Sequence, residues 1–206
     1  MRYWTPREFT DPPTVTMLVA SYLNGDRSNR LHALRCLLYS FVAQTYPHWR
    51  AVVVHDGPLD QPEIVDYVAK LDSRISLETT PGKIGHFGHK YRHQYASKVS
   101  DGWIGFTNDD NYYAPVYFEW LLSHAIRQKA EMVYCDMVHS HKMWKPMTTQ
   151  ARYKYLDLGG FLATAALIKK TPWTDFSFKG DGTYINALRQ RARKVVKVDA
   201  TLFVHN

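Results

Sequence analysis

The stretch "WIGFTNDDNYYAP", residues 103–115, decides how the chain folds. Its start, residues 103–106, is short and apolar, the pattern of a buried strand. It runs into Asn108, Asp109, Asp110 and Asn111, two carboxamides flanking two carboxylates. Pro115 then stands where a helix begins, because the first helical turn tolerates a missing N–H. The stretch predicts a strand, a polar turn and a helix reaching about Gln128. Paired carboxylates at a strand end suit a hard divalent cation, which takes oxygen ligands. A helix cap or Asx turn is the plainer reading. Against it, Asp110 precedes Pro115 by five residues, whereas a cap would adjoin the helix.

The same order of elements recurs upstream. Residues 15–20 (VTMLVA) predict a buried strand, followed by a loop from Ser21 to Asp26. Leu31, Leu34, Leu38, Phe41 and Val42 recur at helical spacing, with Ser28 or Asn29 as candidate N-caps. Residues 49–54 (WRAVVV) predict a second strand ending at His55-Asp56-Gly57-Pro58. A helix over 62–71, a strand over 74–78, a glycine-punctuated loop over 82–88 and a helix over 89–99 follow. Three histidines, His86, His89 and His93, have the look of a metal cluster, but in that loop and helix a solvated or acceptor-facing role is expected.

Downstream, residues 132–137 predict a strand, and 139–155 leave strands and loops open. Residues 161–168 read as helix or strand, 181–193 as helix, and 195–204 as one long strand or two. Strand–helix alternation through the first two thirds predicts an α/β fold, a mostly parallel sheet flanked by helices. Such sheets bind ligands at the carboxyl ends of their strands. Ser21-Tyr22, His55-Asp56 and residues 108–111 all fall at those ends, so they predict one site.

Composition bounds the rest. At 206 residues, 45% hydrophobic and 14% aromatic, the chain has the length and apolar content of one well-cored domain. No apolar run approaches the ~20 residues that span a bilayer. The first residues, MRYWTPREFTDPPT, lack a signal peptide's apolar core, so a cytoplasmic protein is expected, at most in peripheral contact with a membrane. Cys36 and Cys135 have no CxxC neighbour and read as free thiols. A formal charge of +7 favours anionic partners without selecting among them.

Several segments together resemble the family 2 glycosyltransferases with the GT-A fold. TVTMLVASYLN (14–24), LLYSFVAQTYPHW (37–49) and VVVHDG (52–57) are similar to the family's N-terminal half. That half has a strand ending Thr/Ser-Tyr-Asn, a helix ending Gln-Thr-Tyr-Pro and a strand ending Asp-Asp-Gly. TNDDNYYAP resembles the metal-binding DxD region in a form with adjacent aspartates. Residues 179–206, KGDGTYINALRQRARKVVKVDATLFVHN, resemble the Glu-Asp-x-x-Leu-x-x-Arg segment and the strand after it.

The resemblance implies one catalytic domain over 1–206, with 1–117 binding a nucleotide-sugar, UDP-linked by preference, and 118–206 binding the acceptor. It implies transfer to an acceptor hydroxyl with inversion. Ser21 and Tyr22 would border the nucleoside, Asp56 would meet the base, and Asp109 would lie near ribose and metal. Asp110, and in some members the residue matching His205, would ligate Mn²⁺ or Mg²⁺. Asp181 would be the general base, with a cap of the following helix as its structural alternative. Arg92-His93-Gln94 loosely echoes the family's Ala-Arg-Asn segment, which would give Arg92 or His93 a donor-phosphate contact.

His55 and Gly180 depart from the pattern, standing where the family has Asp and Glu. Gly159-Gly160 suggests a tight backbone turn, and Trp144 and Trp173 are candidates for stacking or packing. The acceptor hydroxyl is expected on a carbohydrate, a lipid-linked molecule or a nucleic acid. Two other readings compete. A nucleotidyltransferase would want a basic glycine-rich loop where Ser21 to Gly25 stand. A nucleic-acid-binding module is suggested by Lys142, Lys145, Arg189, Arg191, Arg193 and Lys194 but has none of the usual motifs.

Overall fold

The computed structural model describes residues 11–24 and 28–206. The first residues of the chain and the loop positions Gly25, Asp26 and Arg27 lie outside them, as does the side chain of the cap candidate Ser28.

β1 (Val15–Ser21) is buried along its whole length. Its side chains alternate between two faces, as strand geometry requires. Met17 and Val19 join a core with α1 (Ser28–Val42), α2 (Pro62–Leu71) and α4 (Tyr117–Arg127). Leu18 faces the other way, into a core with α3 (His89–Lys98), α5 (Ala165–Lys170) and α6 (Gly180–Arg191). The sheet is therefore covered on both faces, which is why its central strands read as unbroken apolar runs.

β1 pairs in parallel with β2 (Trp49–His55) on one side and β4 (Trp103–Asn108) on the other, and β3 (Ile75–Thr79) extends the sheet beyond β2. In this register Ser21 lies opposite His55 and Ala20 opposite Asn108. The three polar clusters end on one edge, as the sequence predicts.

Past β4 the sheet is mixed rather than mostly parallel. The order is β3-β2-β1-β4-β8-β6-β9-β5, with β7 on β6. Here β5 is Tyr112–Tyr113, β6 Met132–His139, β7 Lys145–Met147, β8 Phe161–Thr164 and β9 Val195–His205. β8 runs antiparallel to both β4 and β6, and β6 and β9 are parallel. Parallel neighbours need a crossover of a dozen or more residues, usually helical. Such helices join β1 to β4, whereas β6 reaches β7 and β8 through turns and irregular chain.

The undecided segments resolve accordingly. Residues 161–168 are part strand and part helix, β8 running directly into α5, which Thr164 caps by accepting from Leu167 N. β9 is one continuous strand that brings His205 beside His139 of β6. Gly159 packs so closely that a Cβ there would meet the Phe203 ring at 2.4 Å, the reason for glycine in that turn. Trp173 is core, stacked on Tyr184 at 4.1 Å, whereas Trp144 is exposed. Both cysteines are free. No helix among the described residues is long and apolar enough to cross a membrane.

Candidate active site

The ends of β1, β2 and β4 open onto a cavity of about 560 Å³ that also takes in the ends of β6 and β9 and the first turn of α6. Every site residue named from the sequence lines it: Ser21, Tyr22, Asp56, Arg92, Asp109, Asp110, Asp181 and His205. A second cavity, of about 490 Å³ between Tyr134, Arg152 and Arg189, holds none of them.

Asp109 forms part of the floor. Ser21 Oγ donates to its Oδ2 at 2.8 Å, Tyr22 N at 3.3 Å, and the Arg30 guanidinium stands 3.9 Å from Oδ1. Asp110 is arranged differently: its Oδ1 is buried without a hydrogen-bond partner. Burial pushes both carboxyls above the usual range, while Ser21 pulls Asp109 back and the His205 imidazole pulls Asp110 back. Neither aspartate caps α4, whose N-cap is Val116 without a side-chain bond.

His205 stacks on His139 at 4.2 Å between centroids and directs Nε2 toward Asp157 Oδ2 at 3.4 Å. Its Nδ1 is buried without a partner. An orphaned carboxylate oxygen on Asp110 and an orphaned imidazole nitrogen on His205 are donors that a divalent cation accepts, so these residues fit one. Among the described residues no three His, Cys, Asp or Glu side chains gather into a complete cage. The remaining ligands would have to come from substrate and water.

Asp56 carries a load invisible in the sequence. Its two oxygens accept from the backbone N–H groups of Ile84 (2.6 Å) and Gly85 (2.9 Å), fastening the glycine-rich loop across the cavity. His55 is fully buried and fixed as one neutral tautomer. Its Nδ1–H donates to Gly57 O at 2.8 Å, and Nε2 accepts from Leu23 N at 2.9 Å. Histidine rather than aspartate stands here because the position staples two strand ends through one acceptor and one donor.

Arg92, loosely assigned to phosphate, is 2% exposed and donates to Phe87 O (2.9 Å), Thr107 O (3.0 Å) and Asn108 Oδ1. It braces the cavity wall, with only Nε lacking a partner.

Asp181 sits in the first turn of α6, not at its cap; the N-cap is Lys179, without a side-chain bond. That removes the cap reading. Burial raises its carboxyl to about 6. Its Oδ1 lies 3.2 Å from Nδ1 of His89. His89 is not solvated, as its place after a glycine-rich loop suggested. It is 1% exposed, stacked on Trp173 and held by burial and Arg92 at a pKa of about 4. Sequence reading also passed over His139 and Asp157; no spacing links them to His205, which β9 brings to them.

Compared with known proteins, residues 28–189 match the family model described as "Glycosyl transferase family 2". The chain belongs to that family. Its fold matches solved structures of TarS from S. aureus. One of TarS covers 94% of this chain and 36% of that one, with a TM-score of 0.74 and 14% identity. One of TarS 1-349 in complex with UDP covers 93% of this chain and 60% of that one, at 0.75 and 15%. Another, in complex with UDP-GlcNAc, covers 93% and 58%, at 0.73 and 16%. This chain thus spans about a third of the longer TarS structure. No curated protein sequence matches it.

Proposed function

We propose that the chain is a metal-dependent, inverting glycosyltransferase that moves a sugar from a UDP-sugar to an acceptor hydroxyl. The observation that carries this reading is the convergence of Asp109, Asp110, Asp181 and His205 on one cavity, with Asp110 Oδ1 buried and unpartnered. Membership of the family supports the reaction class over a nucleotidyltransferase or a nucleic-acid module. The TarS complexes with UDP and UDP-GlcNAc support the donor.

The residues take separate roles. Ser21, Tyr22 and the Asp109 they hold form the nucleoside end of the cavity, and Asp56 meets the base at its rim. Asp110 and His205 hold Mn²⁺ or Mg²⁺, which when bound neutralises charge on the diphosphate leaving group. Asp181 lies across the cavity and takes the proton from the acceptor hydroxyl as that oxygen attacks the sugar. A base raised to about 6 suits this better than an ordinary carboxylate, since proton transfer favours a pKa near the working pH. His205 pairs with Asp157, so its Nδ1 faces no competing protein partner.

Calorimetry tests the reading. UDP binding strengthens with Mn²⁺ in the wild type, and Asp110→Asn, nearly the same size without the charge, loses most of that gain. Equal UDP affinity with and without the cation in the wild type would refute it.

A further inference from the structure

Two buried polar atoms on residues lining the cavity have no hydrogen-bond partner of their own: Asp181 Oδ1 and His89 Nδ1. They lie 3.2 Å apart. His89 has its other nitrogen committed. Nε2 stands 3.2 Å from the carbonyl oxygen of Ser177, which only accepts, so Nε2 carries the hydrogen. In the neutral ring Nδ1 is then a bare acceptor. A carboxylate oxygen facing it would set lone pair against lone pair, whereas one proton on the carboxyl satisfies both atoms.

The surroundings are shaped for this contact. His89 is clamped by stacking on Trp173 at 4.9 Å. Gly180 packs against the ring: a Cβ there would lie 2.9 Å from His89 Cδ2 and 2.3 Å from Asp175 O. The position where the resembling family has glutamate holds no side chain here, and His89 fills the space beside it. Although Asp181 Oδ1 is buried, the side chain as a whole is 36% exposed, which leaves Oδ2 open to the cavity.

We propose that His89 is a positioning residue for the base: its Nδ1 accepts a hydrogen bond from the protonated Asp181, favouring the acid form and so strengthening Asp181 as a proton acceptor. This rests on the reading of Asp181 as the base. During transfer the acceptor O–H breaks and its electron pair goes to the sugar carbon, the bond from that carbon to the diphosphate breaks with its pair leaving on the nucleoside diphosphate, and the proton joins the open Oδ2. A half-turn about Cβ–Cγ exchanges the two equivalent oxygens and presents the new O–H to Nδ1. Burial, the largest cause for both groups, raises the Asp181 carboxyl and lowers the His89 imidazole, so the ring is neutral beside a carboxyl inclined to hold a proton. The other charged or titratable groups facing the pair are Arg92, His86 and Asp175 around His89, and Arg92, Asp157 and His205 around Asp181.

Carboxyl and imidazole NMR titrations of the wild type, combined with pH–rate profiles of three proteins, test the proposal. In the wild type the Asp181 carboxyl, identified by its absence in Asp181→Asn, titrates near 6, and His89 keeps a bare Nδ1 while Asp181 does so. His89→Phe retains the ring and removes the acceptor. It should lower the Asp181 midpoint and the acid limb of kcat/KM by about one pH unit, the size of one hydrogen bond to the neutral form, while UDP binding is kept. Titration of wild-type Asp181 near 4, or a protonated Nδ1 on His89 at neutral pH, overturns the proposal without needing any variant to fold. If His89→Phe lowers thermal stability but leaves the acid limb in place, the role is structural only and the proposal fails. Transfer surviving in Asp181→Asn sinks the base reading itself. Transfer lost there, with the limb unmoved in His89→Phe, sinks this inference alone.

Discussion

Gly180→Ala sets two effects of known size against each other. Within α6 alanine is favoured over glycine by up to about 1 kcal/mol. The backbone at Gly180 has no left-handed angle that would resist the change. Helix propensity alone therefore predicts stabilisation. The new Cβ, however, would lie 2.3 Å from Asp175 O, a distance at which something must move. That oxygen accepts from Trp173 Nε1 at 2.9 Å. The surrounding turn is pinned by Asp175, which accepts from Ser177 N at 2.9 Å and from Thr183 Oγ1 at 3.3 Å. Forcing a methyl into such a site costs about 1–3 kcal/mol, and displacing the carbonyl from the indole adds roughly 1 more. The clash wins by about 1–3 kcal/mol net. For a chain of this length the loss corresponds to a fall in Tm of about 3–10 °C. Calorimetric unfolding measures the fall, and turnover at 15 °C, where the variant stays folded, reports the displacement of His89 as lowered kcat. A variant with wild-type or higher Tm would refute the packing argument.

Two further variants separate chemistry from scaffold. Asp181→Asn should keep metal-assisted UDP binding and lose about 10²–10⁴-fold in transfer, the usual general-base contribution; near wild-type transfer would exclude it as the base. The same variant carries a stability signature. A carboxyl raised in the folded state stabilises it below the unfolded value near 4 relative to higher pH, and that advantage is lost as pH climbs through about 6. Asp181→Asn, which cannot ionise, should therefore gain on the wild type above pH 6, by only about 1 kcal/mol because the side chain is partly open to water; parallel melts at pH 4.5 and 7.5 measure it, and an identical gap at both would reject the burial argument. Asp56→Ala leaves the N–H groups of Ile84 and Gly85 without their acceptor, so it should cost about 2 kcal/mol or more in stability. If Asp56 also meets uracil, UDP affinity falls more than ADP or GDP affinity, and an unchanged Tm would show that the loop does not depend on it.

The sequence by itself determined the parallel half of the sheet and the edge where the site lies. Short apolar runs at 15–20, 49–54 and 103–106, separated by amphipathic helices, admit few arrangements other than parallel strands with helices on both faces. Strands that run the same way end on the same edge, so Ser21, Asp56 and Asp109 had to meet. Local chemistry was enough for that.

What it could not carry were the pairings made across long separations by groups with no periodicity. Only the tertiary structure decided that β8 runs antiparallel beside β4, that β9 brings His205 to Asp157, and that Asp56 anchors the loop at Ile84 and Gly85. His89 is the sharpest case. Three histidines near a glycine-rich loop look alike in sequence, and burial separates this one from the exposed His86. Its neutral state follows from desolvation and from Arg92 beside it, and its tautomer from one carbonyl acceptor contributed by a loop 88 residues away. Such a protonation state is a property of the assembled environment, because the low-dielectric surroundings that set it exist only once the separate elements have packed together.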